Sequence, residues 1–287
     1  MNPIAGILIT LLSAISYGTL GIFGKLAYSQ GLSTTTLLFF RFSLTGLFLM
    51  AMMLIQKRPF PRGKPLILLI LMGAIGFSGQ AFAYLSALRY ASAGVVAILL
   101  SLYPAFVSIL TILVLKKKVS KIAILGIVIS FLGTFLIADP GSGGDPLGFI
   151  LGVAAALIYS TYIIIGSRLG KYVGPMESTA VIFSSASLVY LGLWQMEGAP
   201  MPPSPTAWWV IAGMVIIPTI IASVTFLEGL RRVGPVNASI ISTVEPLVTV
   251  ALAYVIFGER LGLKAIIGAA LILGAVLMFT VLQRDAS

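Results

Sequence analysis

The chain contains two copies of one pattern, displaced by 142 residues and aligned without a gap. Residues preserved under this displacement include Gly6/Gly148, Tyr17/Tyr159, Gly24/Gly166, Leu85/Leu227, Arg89/Arg231 and Pro104/Pro246. Each copy holds five apolar spans. Because five is an odd number, the second copy is expected to lie upside down in a membrane relative to the first, as in carriers built from inverted repeats.

Composition places the chain in lipid. Of 287 residues, 59% are hydrophobic and only 9% are charged, against about 25% charged in soluble domains. The chain has no cysteine and no histidine, which excludes disulfides and thiol chemistry and removes the commonest metal ligand. The net charge is +10, but the basic residues lie between apolar spans. Membrane topology therefore explains the charge better than nucleic-acid binding does.

The hydropathy pattern predicts an all-α integral membrane fold of ten transmembrane helices in two inverted five-helix repeats. Residues 1–140 form the first repeat, 141–146 an outer linker and 147–287 the second repeat. Each span is near the roughly 20 residues that a helix needs to cross the hydrocarbon. The predicted spans are 4–28, 35–56, 65–88, 92–115, 121–138, 147–167, 177–196, 207–230, 236–257 and 263–283.

Loop charge predicts the orientation of the spans. Basic residues cluster in the segments 57–64, 116–121, 168–171 and 231–232, which all fall on one side. The opposite side carries most of the acidic loop residues, namely Asp139, Asp145, Glu197 and Glu259. The positive-inside rule therefore predicts a multi-pass protein of the cytoplasmic membrane with both termini in the cytoplasm.

Two prolines lie at matching positions in the two copies. Pro104 and Pro246 fall near the middle of the fourth and ninth spans, and each removes one helical N–H. The carbonyls of Leu100 and Ser242 therefore lose their usual donors and need protein, water or solute instead. A kink that serves only packing is the alternative. Broken helices at matching positions in two halves favour a central binding site.

Glu245 is the one acidic side chain near the centre of a predicted span. A charge at that depth costs at least about 2.5 kcal/mol on insertion scales. We therefore expect Glu245 to face a wet cavity or a partner. Three roles remain open: binding a substrate ammonium, carrying a proton, or pairing with a basic side chain.

Two cations also lie inside predicted spans, Lys25 and Arg41. Each is one or two turns from the outer end, where a long side chain can extend to the headgroups. A gate or an ion pair is the alternative interpretation for both residues.

Aromatic and polar residues form a candidate cavity lining. Tyr17 and Tyr159 correspond under the displacement, as do Tyr84 and Phe226, and Gln80 lies one turn from Tyr84. Together with Tyr103 and Glu245, they would suit a compact organic solute, although lipid contact or packing is the alternative for any single aromatic residue. Small-residue steps, such as Ala270 and Gly274, are packing surfaces that would also suit a homodimer.

The segment "EGLRRVGPVNASIISTVEPLVTVALAYVIFGE" at 228–259, with "ALRYASAGVVAILLSLYP" at 87–104, resembles the EamA family of the drug/metabolite transporter superfamily. The Glu-Pro and Gly-Glu pairs of the second copy carry the most specific part of the likeness. The first copy departs from it, with Tyr-Pro at 103–104 and Lys-Lys at 116–117. The resemblance implies a basket of ten helices around a central cavity formed mainly by spans 1–4 and 6–9. It also implies transport of small metabolites, often export of amino acids or related compounds.

The sequence thus predicts a secondary transporter that moves a small organic solute by alternating access, and not an enzyme. No motif for a cofactor, a metal or ATP hydrolysis occurs in the sequence. A passive facilitator of the same topology and a non-transporting membrane subunit are the alternatives.

Overall fold

The computed structural model describes residues 3–103, 105–107, 109–110, 125, 128–129, 132–133, 136, 145–242, 244–260 and 262–284. Every regular element in these ranges is helical. The α-helices are α1 (Pro3–Gly18), α2 (Leu20–Ser29), α3 (Thr34–Ile55), α4 (Lys64–Leu71), α5 (Ser78–Ala87), α6 (Ala93–Leu100), α7 (Pro146–Leu169), α8 (Pro175–Met196), α9 (Pro205–Val215), α10 (Ala222–Ser242), α11 (Val244–Phe257) and α12 (Leu263–Arg284).

Six helical stretches among the described residues are long and apolar enough to cross a membrane, in agreement with the membrane prediction. They are Ile4–Ser29, Thr34–Ile55, Lys64–Ala87, Pro146–Gly166, Pro175–Met196 and Pro205–Val233. Shorter apolar helices in the described part of the chain include Ala93–Leu100, Leu247–Phe257 and Ile266–Ala275. The predicted fifth span, 121–138, lies outside the described residues except for six separate positions.

Two of the stretches contain a π-helical segment. These are π1 (Met72–Phe77), between α4 and α5, and π2 (Ile216–Ile221), between α9 and α10. The Ser78 hydroxyl donates to the Gly73 carbonyl at 2.8 Å, and the Thr219 hydroxyl donates to the Met214 carbonyl at 2.7 Å. In both segments a hydroxyl thus satisfies a carbonyl of the widened turn, where the ordinary helical ladder is interrupted.

Helix α3 packs antiparallel against α8. At one end Arg58 pairs with Glu177 at 3.3 Å, and at the other the Thr35 hydroxyl donates to Glu197 at 2.7 Å. Between these contacts the ring of Phe42 stacks on that of Phe183, with 5.5 Å between centroids. The two helices therefore lie side by side along their whole length.

Helix α1 packs antiparallel against the first half of α10. A side chain at Gly6 would contact Arg232 and Val233, while the Ser13 hydroxyl donates to the Ala222 carbonyl at 2.8 Å. Likewise, the N-terminus of α6 meets Glu259, two residues beyond the end of α11, because the Ala93 N–H donates to Glu259 at 3.1 Å. Each of these contacts joins the first copy to the second.

The first predicted span is divided near its middle. Helix α1 ends at Gly18, α2 begins at Leu20, and the Thr249 hydroxyl of α11 donates to the Gly18 carbonyl at 2.8 Å. The sequence gives no clear signal for this break, because the residues on both sides are apolar or small. The hydrogen bond from α11 supplies a donor to a carbonyl buried inside the bundle.

The boundary between the eighth and ninth spans differs from the prediction. A loop was expected at residues 231–235, but α10 runs without interruption from Ala222 to Ser242. Pro235 removes one N–H from this helix. The carbonyl that loses its donor belongs to Arg231, whose side chain is exposed, so water can replace the donor.

Candidate functional site

Four of the predicted cavity residues meet in one aromatic cluster at the centre of the bundle. The ring of Phe226 lies 6.3 Å from those of Tyr17 and Tyr159, and Tyr159 lies 5.1 Å from Tyr103, as centroid distances. The Tyr17 hydroxyl also hydrogen-bonds to the Ser223 hydroxyl at 2.8 Å. Residues from the first and second copies therefore share one cluster, although their contact with a solute stays a prediction.

Tyr84 and Gln80 lie on α5, and both side chains are buried. A methyl group at Gly21 would lie 3.1 Å from the Tyr84 hydroxyl and 3.4 Å from the Thr249 methyl. The Tyr84 hydroxyl therefore lies against α2 at the level where α11 approaches it. This places Tyr84 near the break in the first span rather than against lipid.

Glu245 occupies the first turn of α11, beside that break. A side chain at Gly18 would lie 2.9 Å from the Glu245 carbonyl oxygen, so the backbones of α1 and α11 approach closely. The Glu245 side chain is only partly buried, and it forms no salt bridge with any described residue. Its three predicted roles therefore stay predictions.

Helix α6 ends at Leu100, four residues before Pro104, and the Leu100 carbonyl is the one that this proline was expected to deprive of its donor. The corresponding end in the second copy cannot be compared, because Thr243 lies outside the described residues. Pro104 itself lies outside the described residues, whereas the backbone of Pro246 is part of α11. A role for these prolines in helix bending stays a prediction.

Lys25 forms an ion pair. Its ammonium lies 2.6 Å from Glu259, and the second carboxylate oxygen of Glu259 accepts the Ala93 N–H. Of the two interpretations given to Lys25, the geometry agrees with pairing. The pair joins the first, fourth and ninth predicted spans at the end that loop charge assigns to the outside. We call this the outer end, and the end with Arg58, Lys171 and Arg231 the inner end.

Arg41 does not extend to the headgroups, so the snorkelling interpretation is wrong for this residue. Its side chain is 1% exposed, and its Nε donates to the Thr219 hydroxyl at 2.7 Å. Thr219 belongs to π2, so a residue of the second copy contacts the guanidinium inside the bundle. Sequence reasoning missed Thr219 and Ser223, and the signal that could have found them is a hydroxyl within an apolar span.

A cavity of about 260 Å³ opens between the cluster and the inner end. Tyr162 is part of its wall and stacks on Tyr159, with 5.8 Å between ring centroids. Lys171 and Arg231 provide basic groups at its mouth. Its other lining residues are mainly apolar: Leu69, Met72, Gly166, Leu169, Gly170, Val173, Pro175, Ser178, Ile182, Leu227 and Leu230. Among the residues that the structure describes, no three acidic side chains converge to hold a metal ion.

Comparison with known proteins identifies the family of this two-copy helical chain. The model of the EamA-like transporter family matches twice, over residues 4–138 and 146–281. The chain belongs to the EamA-like transporter family. The two matched segments begin 142 residues apart, the displacement found within the sequence. The resemblance stated from the residues is therefore confirmed.

Relatives in bacteria and archaea agree with this assignment. The uncharacterized transporter YcbK of Bacillus subtilis is 26% identical over 92% of this chain and 89% of its own length. An uncharacterized transporter of Archaeoglobus fulgidus is 27% identical over 93% of each chain. The uncharacterized inner membrane transporter YicL of Salmonella typhimurium is 23% identical over 97% of this chain and 96% of its own.

A solved crystal structure has the same fold. It superimposes with a TM-score of 0.71 over 97% of this chain and 99% of the other, at 19% identity. The family match, the named relatives and the apolar helices together identify the chain as a membrane transporter.

Proposed function

We propose that this chain is a secondary transporter that moves a small organic metabolite, an amino acid or a related compound, across the cytoplasmic membrane. The solute binds near mid-membrane, and two inverted five-helix halves rock around it, with export as the expected direction. The aromatic cluster, Gln80, Tyr84 and Glu245 line the binding site. Both termini lie in the cytoplasm.

The observation that carries this proposal is the antiparallel packing of spans that correspond in the two copies. The displacement of 142 residues takes Thr34–Ile55, which is α3, onto 176–197, which is nearly α8. These two helices run in opposite directions, as the contacts Thr35–Glu197 and Arg58–Glu177 show. The fourth and ninth spans also face each other across the Ala93–Glu259 contact. Antiparallel mates are expected of inverted repeats related by a two-fold axis in the membrane plane.

A second observation supports alternating access. The outer end is closed by polar contacts between different spans, whereas a cavity opens toward the inner end and reaches Tyr162. A carrier needs one closed and one open side at any moment. It therefore supports the proposal of a carrier whose site is accessible from the cytoplasm in this state.

The experiment that tests the proposal compares Glu245→Gln with Glu228→Gln in proteoliposomes. Glu228 pairs with Arg231 and Arg232 on its own helix and is outside the site, so it serves as the matched control. Solutes are first identified by comparing the contents of cells and medium with and without overexpression. We expect Glu245→Gln to lower the exchange of those solutes at least tenfold. Unchanged exchange would remove Glu245 from the site.

Counterflow separates the carrier from its alternatives. A carrier exchanges external labelled solute faster when unlabelled solute is present inside, whereas a passive facilitator does not. A non-transporting subunit shows no flux when it is reconstituted alone.

Orientation can be tested by labelling, because the chain has no cysteine of its own. Ser29 and Lys171 are exposed at opposite ends of the bundle. Cysteines at these two positions, treated with an impermeant maleimide on intact cells, should react at Ser29→Cys and not at Lys171→Cys. The opposite result would reverse the proposed topology.

A further inference from the structure

Near the outer end, one glycine and two leucines seal the first predicted span onto the third. A methyl group at Gly24 would lie 2.7 Å from the Leu88 Cδ1 and 2.9 Å from the Leu85 Cδ2. Both leucines are buried. Because these distances are shorter than van der Waals contact, the packing leaves no room for a side chain here, and the leucines rest directly on the backbone of α2. We call Gly24, Leu85 and Leu88 the outer triad.

At the inner end the same three residue types lie apart. The displacement of 142 residues takes the outer triad onto Gly166, Leu227 and Leu230, which we call the inner triad. Neither Leu227 nor Leu230 has an atom within 4 Å of a methyl group placed at Gly166. The nearest atom of the described residues is the Met72 Cε, at 3.7 Å, and all three members of the inner triad line the cavity. One arrangement of residues is therefore closed at one end of the bundle and open at the other.

A second pair of corresponding contacts is the same at both ends. A methyl group at Gly6, at the inner end, would lie 3.0 Å from the Arg232 Cβ. The counterparts of these two residues in the other copy are Gly148 and Tyr90, at the outer end, where the same distance is 2.9 Å. Both contacts join one copy to the other. The two ends therefore agree in a contact between the copies and differ in a contact within each copy.

We propose that the two triads are the apolar gates of the carrier, and that the inner triad closes as the outer triad has closed here. This inference rests on the proposed function and assigns residues to its two ends. In a carrier built from inverted repeats, each half can take at one side the arrangement that the other half holds at the opposite side. The contact between Gly24 and its leucines is then the pattern for the contact that Gly166 makes on inner closure. Each half changes shape as the two halves rock, because each gate lies between two spans of one half.

The residue types suit a gate that opens and closes repeatedly. Leucine side chains on a bare backbone exclude water by hydrophobic contact, as apolar constrictions do in channels. Opening such a contact leaves no buried charge without a partner. The glycine is required opposite the leucines, because any side chain there would hold them away from the backbone.

The outer gate has a second layer that the inner end lacks. The Arg89 guanidinium lies over the Tyr28 ring, 4.7 Å from its centroid, and the Tyr28 hydroxyl donates to the Leu85 carbonyl at 2.7 Å. The displacement takes Tyr28 onto Gly170, which has no ring. The inner gate therefore closes without this layer, which favours the state in which the outer end is closed.

The test places valine at each glycine and follows the opening of the outer end through a cysteine. Ala253 is 1% exposed, so the labelling of Ala253→Cys by an impermeant maleimide from outside reports that opening. Gly166→Val fits the open cavity but keeps the inner gate from closing. We expect it to slow both this labelling and the exchange of the solutes found by overexpression about 5- to 150-fold. Gly24→Val keeps the outer gate from closing and should speed the labelling by a similar factor.

Opposite changes from one substitution separate gating from folding. A damaged bundle would speed the labelling in both variants, whereas two gates shift it in opposite directions. Gly192→Val is the control, because Gly192 is exposed on α8 and a methyl group there would meet no atom of the described residues within 4 Å. It should leave exchange and labelling at their wild-type rates.

Cysteine bridging tests the closed inner gate directly, because the chain has no cysteine of its own. Gly24→Cys with Leu88→Cys should be bridged rapidly by a short thiol-reactive cross-linker. Gly166→Cys with Leu230→Cys should be bridged at least about tenfold more slowly, since the state with the inner end closed is the less populated one. Adding Lys25→Met, which removes the outer ion pair, should speed bridging of the inner pair.

The possible outcomes are distinguishable. Exchange by Gly166→Val at the wild-type rate would contradict the inference while leaving transport intact. Labelling that both valines shift in one direction would do the same, as would bridging of the inner pair that neither Lys25→Met nor Gly24→Val accelerates. Absence of exchange by the wild type for all solutes would contradict the proposed function itself, and the bridging would still report whether the two gates alternate.

Discussion

The two ends of the bundle differ in how far polar contacts close the space between the spans. At the outer end, polar contacts join different spans: Lys25 to Glu259, Glu259 to the backbone of Ala93, and Thr35 to Glu197. At the inner end, Arg58 pairs with Glu177 of α8 and Glu228 pairs within its own helix, but a cavity opens between other spans. The comparison indicates that the outer end is the closed one. Conformational change would then have to break the outer contacts and build new ones at the inner end.

The wall of the inner cavity depends on one close approach of two backbones, and breaking it should have the largest effect. A methyl group at Gly73, in π1, would overlap the carbonyl oxygen of Ile182 in α8. Gly73→Ala must therefore separate the two helices, which typically costs about 1–3 kcal/mol. We expect a lower melting temperature in detergent and a changed cavity, since Met72 and Ile182 both line it.

Gly76 supplies the matched control for this substitution. It lies in the same π-helical segment, but a methyl group there would meet no atom within 4 Å. Gly76→Ala should be neutral or raise stability by up to about 1 kcal/mol, the usual helical preference of alanine over glycine. Equal destabilisation by both variants would show that the close approach at Gly73 is unimportant.

The ion pair of the outer end should give the next largest effect. Lys25 and Glu259 are 25% and 17% exposed, so their pair lies between a surface bridge and a buried one. Lys25→Met should lower the free energy needed to open the outer end by about 1–2 kcal/mol. A cysteine at Ala253, which is 1% exposed, would report the opening. We expect maleimide labelling from outside to become about 5- to 30-fold faster.

A charge exchange controls for loss of the side chain itself. The double variant Lys25→Glu with Glu259→Lys restores an opposite pair and should return the labelling rate toward that of the wild type. If the double variant labels as fast as Lys25→Met, the ion pair does not hold the outer end closed.

The sequence could predict the features that depend on hydropathy and on the internal duplication. The family and the membrane character follow from both, and the displacement brings Tyr17, Tyr159 and Phe226 into a set that the fold places in contact. The break after Gly18 could not be predicted, because it depends on a hydroxyl from α11 in the other copy. The π-helical segments also leave the hydropathy of their spans unchanged.

Arg41 shows the same limitation at the level of a single side chain. Its position near the end of an apolar span fits snorkelling as well as burial. The burial is decided by Thr219, 178 residues further along the chain, which accepts the hydrogen bond from Arg41. Sequence periodicity can place a residue on a helix, but it does not specify which distant hydroxyl that residue will meet.

The second polar contact of the outer end, between Thr35 and Glu197, should have a smaller effect on outer closure. Thr35 donates to Glu197, which also accepts from Ser33, so Thr35→Val leaves that carboxylate one partner. The loss should be about 0.5–1.5 kcal/mol, the usual net value of a hydrogen bond. The rise in labelling at Ala253→Cys should therefore be smaller than that for Lys25→Met. Ser29→Ala, which removes an exposed bond within one helix, is the control.

The smallest effect should come from the inner end, at Glu228. This residue lies 2.6 Å from Arg232 and 3.4 Å from Arg231, but all three belong to one helix and the arginines are exposed. Pairs of this kind stabilise a helix by about 0.3–0.5 kcal/mol. Glu228→Gln should therefore change the melting temperature slightly, less so at high salt, and leave labelling at Ala253→Cys unaltered. A rise in outer labelling as large as that for Lys25→Met would mean that Glu228 also controls access, and that the two ends are not held as differently as their contacts indicate.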